Sequence, residues 1–235
     1  MIIYKYSAIN CLTINNLKNN VLWFSSANDF KDMHDSNLPL KKIPINDLVK
    51  EYEEYLQKIT IDQFDKRKFP KWIFDSPLQN ELFSSNKTIN SLIRDFKNHI
   101  GITCFSTNPC SKKMWQEYGD MHYGFCLCFD ATIVPIYFKR LSKVKYNRKL
   151  YEINLASNNL DIELKRYFTT KLIKYNYEEE YRLFNNVGPN KYDKKSLIKV
   201  ILGKNIANID KTNLISIIKA YYDTNTIIEC EKNKN

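Results

Sequence analysis

Glycine and proline are scarce, 5 and 7 among 235 residues, which excludes collagen-like, linker-rich and low-complexity chains. Long apolar runs are missing too. The longest, Ile133 to Phe138, is far short of the roughly 20 residues a membrane-spanning helix needs. The opening Met1 to Tyr6 has no charged-then-apolar signal layout, so a cytoplasmic protein with no membrane partner is expected. No Cys-x-x-Cys pair occurs, and the 3 His lie far apart, which speaks against a structural zinc site. Cys126 and Cys128 lie two apart in a strand-like segment, about 7 Å between Cα atoms. That is beyond the roughly 4.4–6.8 Å a disulfide spans, so the 6 thiols are expected reduced and mostly buried. No Gly-rich phosphate loop, Gly-x-Ser-x-Gly elbow or His-Glu-x-x-His helix is present. Those absences count against P-loop enzymes, elbow-type serine hydrolases and zincins.

Arginine is rare as well: the 36 cationic residues are 30 Lys and 6 Arg, alongside 27 Asn. AT-rich coding produces such a bias whatever the function. Arg is the preferred residue for bidentate phosphate and base contacts, although a net charge of +10 can still give weak, salt-sensitive binding to polyanions. Charge alone does not make this a nucleic-acid protein. What the chain does have is apolar and aromatic mass, 43% and 14% with 16 Tyr and 13 Phe, ample for the core of a single domain over residues 1–235.

The pattern along the chain reads as α+β, with helices packed on a mixed or split central sheet. Met1–Ser7 and Val21–Ser25 suit short buried strands, with a helix over Asn10–Lys18 turning Leu12 and Leu17 inward. Apolar spacing predicts a helix from Ile45 to about Lys68 and another starting at Thr88. Strands follow at Ile102–Ser106 and Tyr123–Asp130, the latter apolar on both faces as a central strand would be. Lys143–Asn147 reads as a strand and Asn159–Lys174 as a helix. Strands at Glu180–Phe184, Ser196–Leu202 and Thr226–Glu231 close the chain, with a helix over Thr212–Tyr221.

Three constellations could carry chemistry. In Tyr175-Asn-Tyr-Glu-Glu-Glu-Tyr-Arg182, an extended backbone puts Glu178, Glu180 and Arg182 on one face. Two carboxylates and a guanidinium there could stabilise a cationic centre, hold a sugar hydroxyl or bind a metal. The plainer reading is a solvated edge strand with a local ion pair. In Met114-Trp-Gln-Glu-Tyr118 followed by His122-Tyr-Gly-Phe125, Tyr118 and His122 could offer hydrogen bonds from a loop feeding a buried strand. Trp115 reads as core, and His122 equally well caps the turn. In Tyr4-Lys5-Tyr6, either the Tyr pair or Lys5 reaches a cleft. Phe30 to Asp35 adds two acids and a His in a polar turn, which could bind a metal but suits ordinary turn chemistry.

In this order the constellations resemble a widespread bacterial domain-of-unknown-function family, number twenty-nine seventy-one. The matching stretches are Tyr4-Lys5-Tyr6, Trp23-Phe24-Ser25, Cys104-Phe105-Ser106, Met114 to Cys126, Tyr177 to Arg182, and Ile198 to Gly203. Phe30-Lys31-Asp32-Met33 lacks the family's Asn and Pro, and Tyr175 stands where the family often has Trp. More remotely, the layout resembles the ADP-ribosyltransferase fold, and Glu178-Glu179-Glu180 looks like the Glu-x-Glu signature of some toxins of that kind. That resemblance implies NAD as a substrate, Glu180 as the catalytic carboxylate and Glu178 orienting the acceptor. Lys5, Tyr6, Ser25, Tyr118, His122 and Arg182 would hold NAD, with Arg182 either steadying Glu180 or meeting a phosphate. It also implies a bacterial toxin or phage-defence effector acting on nucleic acid or protein, with an antitoxin or immunity partner. Two other readings stand beside it: a non-catalytic sensor that binds a nucleotide or partner, and a metal-dependent nuclease using Asp32, Asp35, Glu178 and Glu180.

Overall fold

A computed structural model of the chain describes residues 1–30, 32, 35–39, 94, 97–150, 152–154, 160–222 and 226–230. The helix expected over Ile45 to Lys68 lies outside them. So does most of the one starting at Thr88, of which Arg94 and residues 97–99 are helical. The fold is α+β. Its sheet has nine strands among the described residues: β1 (Ile2–Ser7), β2 (Val21–Ser26), β3 (Ile100–Ser106), β4 (Phe125–Asp130), β5 (Leu141–Lys143), β8 (Glu180–Asn186), β9 (Gly188–Lys191), β10 (Leu197–Leu202) and β11 (Ile227–Cys230). Two further short strands, β6 (Lys145–Asn147) and β7 (Thr170–Leu172), pair with each other in parallel. The four α-helices with full bounds are α1 (Cys11–Lys18), α2 (Lys112–Glu117), α3 (Leu160–Phe168) and α4 (Asn208–Tyr221). None of the described helices is long and apolar enough to cross a membrane.

One connection shapes the rest. β3 is paired along its whole length with β8, from Ile100 opposite Asn186 to Ser106 opposite Glu180. Its other edge is shared. β2 meets it at Ser25–Ile102 and Ser26–Gly101, while β1 meets it only at Tyr4–Ser106. Between those two bridges no strand among the described residues lies beside the β3 edge, and the sheet parts there. β1 then continues through β4 to β10 in antiparallel ladders, and β11 closes that side in parallel with β10.

β4 is central and buried on both faces, as its uninterrupted apolar run requires. Its alternate side chains feed two cores. Phe125, Leu127 and Phe129 join Ile3, Phe24 and Phe105 under Leu17 of α1 and Leu214, Ile217 and Ile218 of α4. Cys126 joins Tyr6, Ile201 and, from α2, Met114 and Trp115. Gly124 permits the turn into β4, since a Cβ there would lie 2.2 Å from the Ser7 carbonyl oxygen.

Several sequence expectations need correction. α1 starts where expected, with Asn10 and Thr13 capping each other's backbone amides. Leu17 is buried, but Leu12 is exposed. Five residues at about 100° each put the two roughly 140° apart around the helix, so both cannot face inward. The helix expected over Asn159–Lys174 stops at Phe168, and Thr170–Leu172 becomes β7. Apolar spacing of three and four continued past that stop, while Thr169 closes the last turn by donating from Oγ1 to the Lys165 carbonyl. Lys143–Asn147 is not one strand but the end of β5 and all of β6, broken at Val144, whose amide donates to the Glu180 carbonyl. All 6 cysteines are free, as expected, but Cys11, Cys110 and Cys230 are exposed rather than buried.

Candidate functional site

A cleft of about 690 Å³ opens where β1 and β2 part along β3. Tyr4, Lys5 and Tyr6 come from β1, Trp23 and Ser25 from β2, and Ile102 to Ser106 from β3. Tyr118, Tyr175, Lys171 and the segment carrying Asp29, Phe30 and Asp35 complete the wall, with Glu178 and Glu180. The volume is in the range that takes a small molecule or cofactor-sized ligand.

The two glutamates reach the cleft by different routes. Glu180 opens β8, with Arg182 two residues on and on the same face, as period two requires. Glu178 is not in that strand. It ends a 3-10 turn over Ile173–Glu178, and Glu179 follows in the left-handed region at φ 45°. The left-handed residue turns Glu179 outward to the exposed surface, where it accepts from the Thr107 hydroxyl and the Asn108 amide. Glu178 and Glu180 thus meet across a turn rather than along an extended chain.

They meet at Lys171 of β7. Its ammonium bonds Glu178 Oε2 and lies 3.3 Å from both Glu180 Oε2 and Asp35 Oδ2. Arg182, 0% exposed, backs the group. It donates from Nε to Glu180 Oε1 at 2.8 Å, from Nη2 to Asp35 Oδ2 at 2.7 Å, and from Nη1 to the Phe168 carbonyl at 2.8 Å. That carbonyl is one of those left without an intrahelical partner at the end of α3. Tyr118 donates its hydroxyl to Glu178 Oε1 at 2.9 Å. The buried cluster therefore holds three carboxylates against two cations. Taking such ions out of water costs several kcal/mol each unless their partners compensate.

The carboxylates respond in opposite directions. Burial works against ionising Glu180, but the Arg182 and Lys171 charges outweigh it and hold its carboxyl down at about 2. For Glu178 burial prevails over Lys171, and the nearby Glu180 charge adds to it, so its carboxyl is pushed up. Burial likewise opposes the Lys171 ammonium, yet Glu180 and Asp35 raise its pKa. The Lys5 ammonium donates to the Cys104 carbonyl at 3.4 Å, and burial lowers its pKa. A pair of carboxylates driven apart in this way is the arrangement that divides acid, base and electrostatic roles.

Of the residues singled out from sequence, Lys5, Tyr6, Ser25, Tyr118, Glu178 and Glu180 line one cleft. Two do not. Arg182 lies behind Glu180 with its guanidinium bonded to Glu180, Asp35, Ser36 and the Phe168 carbonyl. His122 is buried and stacks on Trp115, ring centroids 6.0 Å apart, and Trp115 packs edge-on against Tyr6 at 5.1 Å. Asp120, Met121 and His122 all have φ between 50° and 70°, a left-handed turn that swings the histidine away from the cleft. Lys171 carried no sequence signal, being one of 30 lysines inside an apparent helix. Asp35 stood out as a turn acid and as a candidate metal ligand beside Glu178 and Glu180, not as a partner of Lys171 and Arg182. Among the described residues, no group of three His, Cys, Asp or Glu is arranged to hold a metal ion; the clustered carboxylates converge on Lys171 and Arg182 instead.

Comparison of the chain with protein-family models, curated proteins and solved structures finds no match.

Proposed function

We propose that this chain is an NAD-consuming, ADP-ribosyltransferase-like enzyme that moves ADP-ribose onto a nucleic acid or protein. The observation that carries this reading is the buried, net-negative cluster on an aromatic cleft, with Glu180 held ionised by Arg182 and Lys171. Breaking the bond between ribose C1′ and the nicotinamide nitrogen sends the bonding pair to nitrogen and leaves positive charge on the ribose. A carboxylate fixed beside that carbon stabilises the charge without reorganising. Tyr4 and Tyr6 of β1 line the cleft where a pyridinium ring can rest against an aromatic side chain. The acceptor then bonds to C1′ and gives up its proton, which Glu178 is suited to take because its carboxyl is pushed up. The sequence resemblance supplies the wider setting: a cytoplasmic toxin or phage-defence effector with an antitoxin or immunity partner.

The test is nicotinamide release from NAD by purified protein beside Glu180→Gln, with and without DNA, RNA and chelator. Release that needs Glu180 and survives chelation is expected, and Glu180→Gln should lower it at least about a hundredfold. No release with any acceptor from a folded protein would sink the reading. A second reading has its own support: both oxygens of Glu180 already have cationic partners, as suits a cleft that binds a nucleotide without turning it over. Such a sensor gives ligand-dependent thermal stabilisation and no product.

A further inference from the structure

Large aromatic rings are left in water around the mouth of the cleft. Trp23 on β2 is 43% exposed and Tyr118, just past α2, is 45% exposed, and both line the cleft. Lysines stand over neighbouring rings. The Lys174 ammonium is 4.8 Å from the Tyr175 centroid, and the Lys113 ammonium is 3.8 Å from that of Tyr177. Both lysines are exposed: Lys174 can meet a phosphate without leaving its ring, and Lys113 can do so from its exposed pair with Glu117, at 3.7 Å. Exposed stacking faces beside cations are the two components of a surface that takes unpaired bases and tracks their backbone. The net charge of +10 attracts a polyanion weakly, while six carboxylates in the lining (Asp29, Asp32, Asp35, Glu117, Glu178 and Glu180) against Lys5 and Lys171 would keep its phosphates outside the cleft, at the rim.

The reacting groups narrow the choice of strand. Glu178 and Glu180 are only 3% and 4% exposed, so an acceptor atom must enter the cleft to reach them. A base held in a duplex cannot do that without leaving its stack. Lysines at the rim bring point charges rather than the paired donors of Arg that read base edges, so recognition there would follow the backbone more than the sequence.

We propose that the mouth of this cleft docks single-stranded nucleic acid, with bases stacked on Trp23 and Tyr118 and phosphates beside Lys113 and Lys174. Resting on the transferase reading above, that strand is the acceptor. One of its nucleophilic nitrogens or oxygens forms the new bond to ribose C1′, nicotinamide departs with the old bonding pair, and the strand's proton passes to Glu178.

The experiment measures fluorescence anisotropy of short labelled oligo(dT) and oligo(U), against a duplex of equal length, across a salt series. Nicotinamide release is followed in the same samples. Single strands should bind more tightly than duplex, with affinity falling steeply as salt rises. Trp23→Ala should weaken strand binding about tenfold with an unchanged circular dichroism spectrum. Lys113→Glu combined with Lys174→Glu should flatten the salt dependence. Equal affinity for duplex, or full affinity in Trp23→Ala, would overturn the docking surface. Nicotinamide release without strand binding overturns it too and leaves a protein as the acceptor to pursue. Trp23-dependent strand binding without nicotinamide release upholds the surface and removes the transferase.

Discussion

Lys171 separates three carboxylates that would otherwise face one another in a poorly solvated space. Replacing it with Met keeps much of the bulk and deletes the charge. Removing one partner of a buried ionic group costs about 3–5 kcal/mol, because the remaining charges lose their compensation. Lys171→Met should therefore lower the urea-unfolding free energy by about that much at neutral pH. The loss should shrink at acid pH, where Glu178 takes a proton and relieves the repulsion. A loss that stays the same across pH would mean that the carboxylates do not lean on Lys171. The three residues Glu178, Glu180 and Arg182 were legible because an Arg beside clustered acids stands out in an Arg-poor chain. Lys171 was not, since nothing in sequence separates one lysine from 29 others, and its position depends on where α3 ends.

At the scale of elements, α1 shows how far a spacing rule reaches. Its bounds were legible to within a residue, but its cap at Asn10 and Thr13 was not read, and its buried face rests on Leu17 with Ile14, not on Leu12. Leu17→Ala should cost about 2–5 kcal/mol, while Leu12→Ser should stay within about 0.5 kcal/mol; chemical denaturation of the pair separates the two faces. The same limit explains the overextended helix at 159–174. Periodicity reports apolar residues, and Leu164, Phe168 and Leu172 keep helical spacing across a junction where the backbone becomes a strand. The junction is held from elsewhere: Arg182 takes the Phe168 carbonyl and the Lys145 amide takes that of Thr169. Strands β1, β4 and β10 were readable within about two residues because each is a short, mostly apolar run, and β8 was readable as closely although it carries Glu180 and Arg182. The fork at β3 was not, because pairing partners are chosen by segments far apart in the chain.

For the molecule as a whole, the two glutamates make stability depend on pH in two opposite steps. Glu180, held near 2 against its ordinary 4.5, adds stability that is complete above about pH 4.5 and is withdrawn as pH falls toward 2. Glu178 is pushed up from 4.5, so the folded state binds its proton more tightly than the unfolded chain does. Its contribution is full below pH 4.5 and is lost as pH rises through the raised value. Wild type should thus be most stable on the acid side of neutrality. Glu178→Gln should remove the decline from that maximum toward neutral pH while leaving the acid limb in place. Urea midpoints measured from pH 3 to 8 would check this, and an unchanged neutral-side decline in Glu178→Gln would count against burial of that carboxyl as its cause.

The fork in which β1 and β2 divide one edge of β3 also bears on synthesis. The cleft needs Lys5 from the start of the described chain, Cys104 from its middle, and Lys171, Glu178 and Glu180 from well beyond. A ribosome-bound chain that has emerged only through β4 has the aromatic walls but neither glutamate nor the cations that hold them. Long-range pairings of this kind also close slowly, since distant segments must meet before any contact rewards them. Any activity that depends on the completed cluster is therefore withheld until β8 has been made and docked along β3, so a growing chain stays inert beside the machinery that produces it.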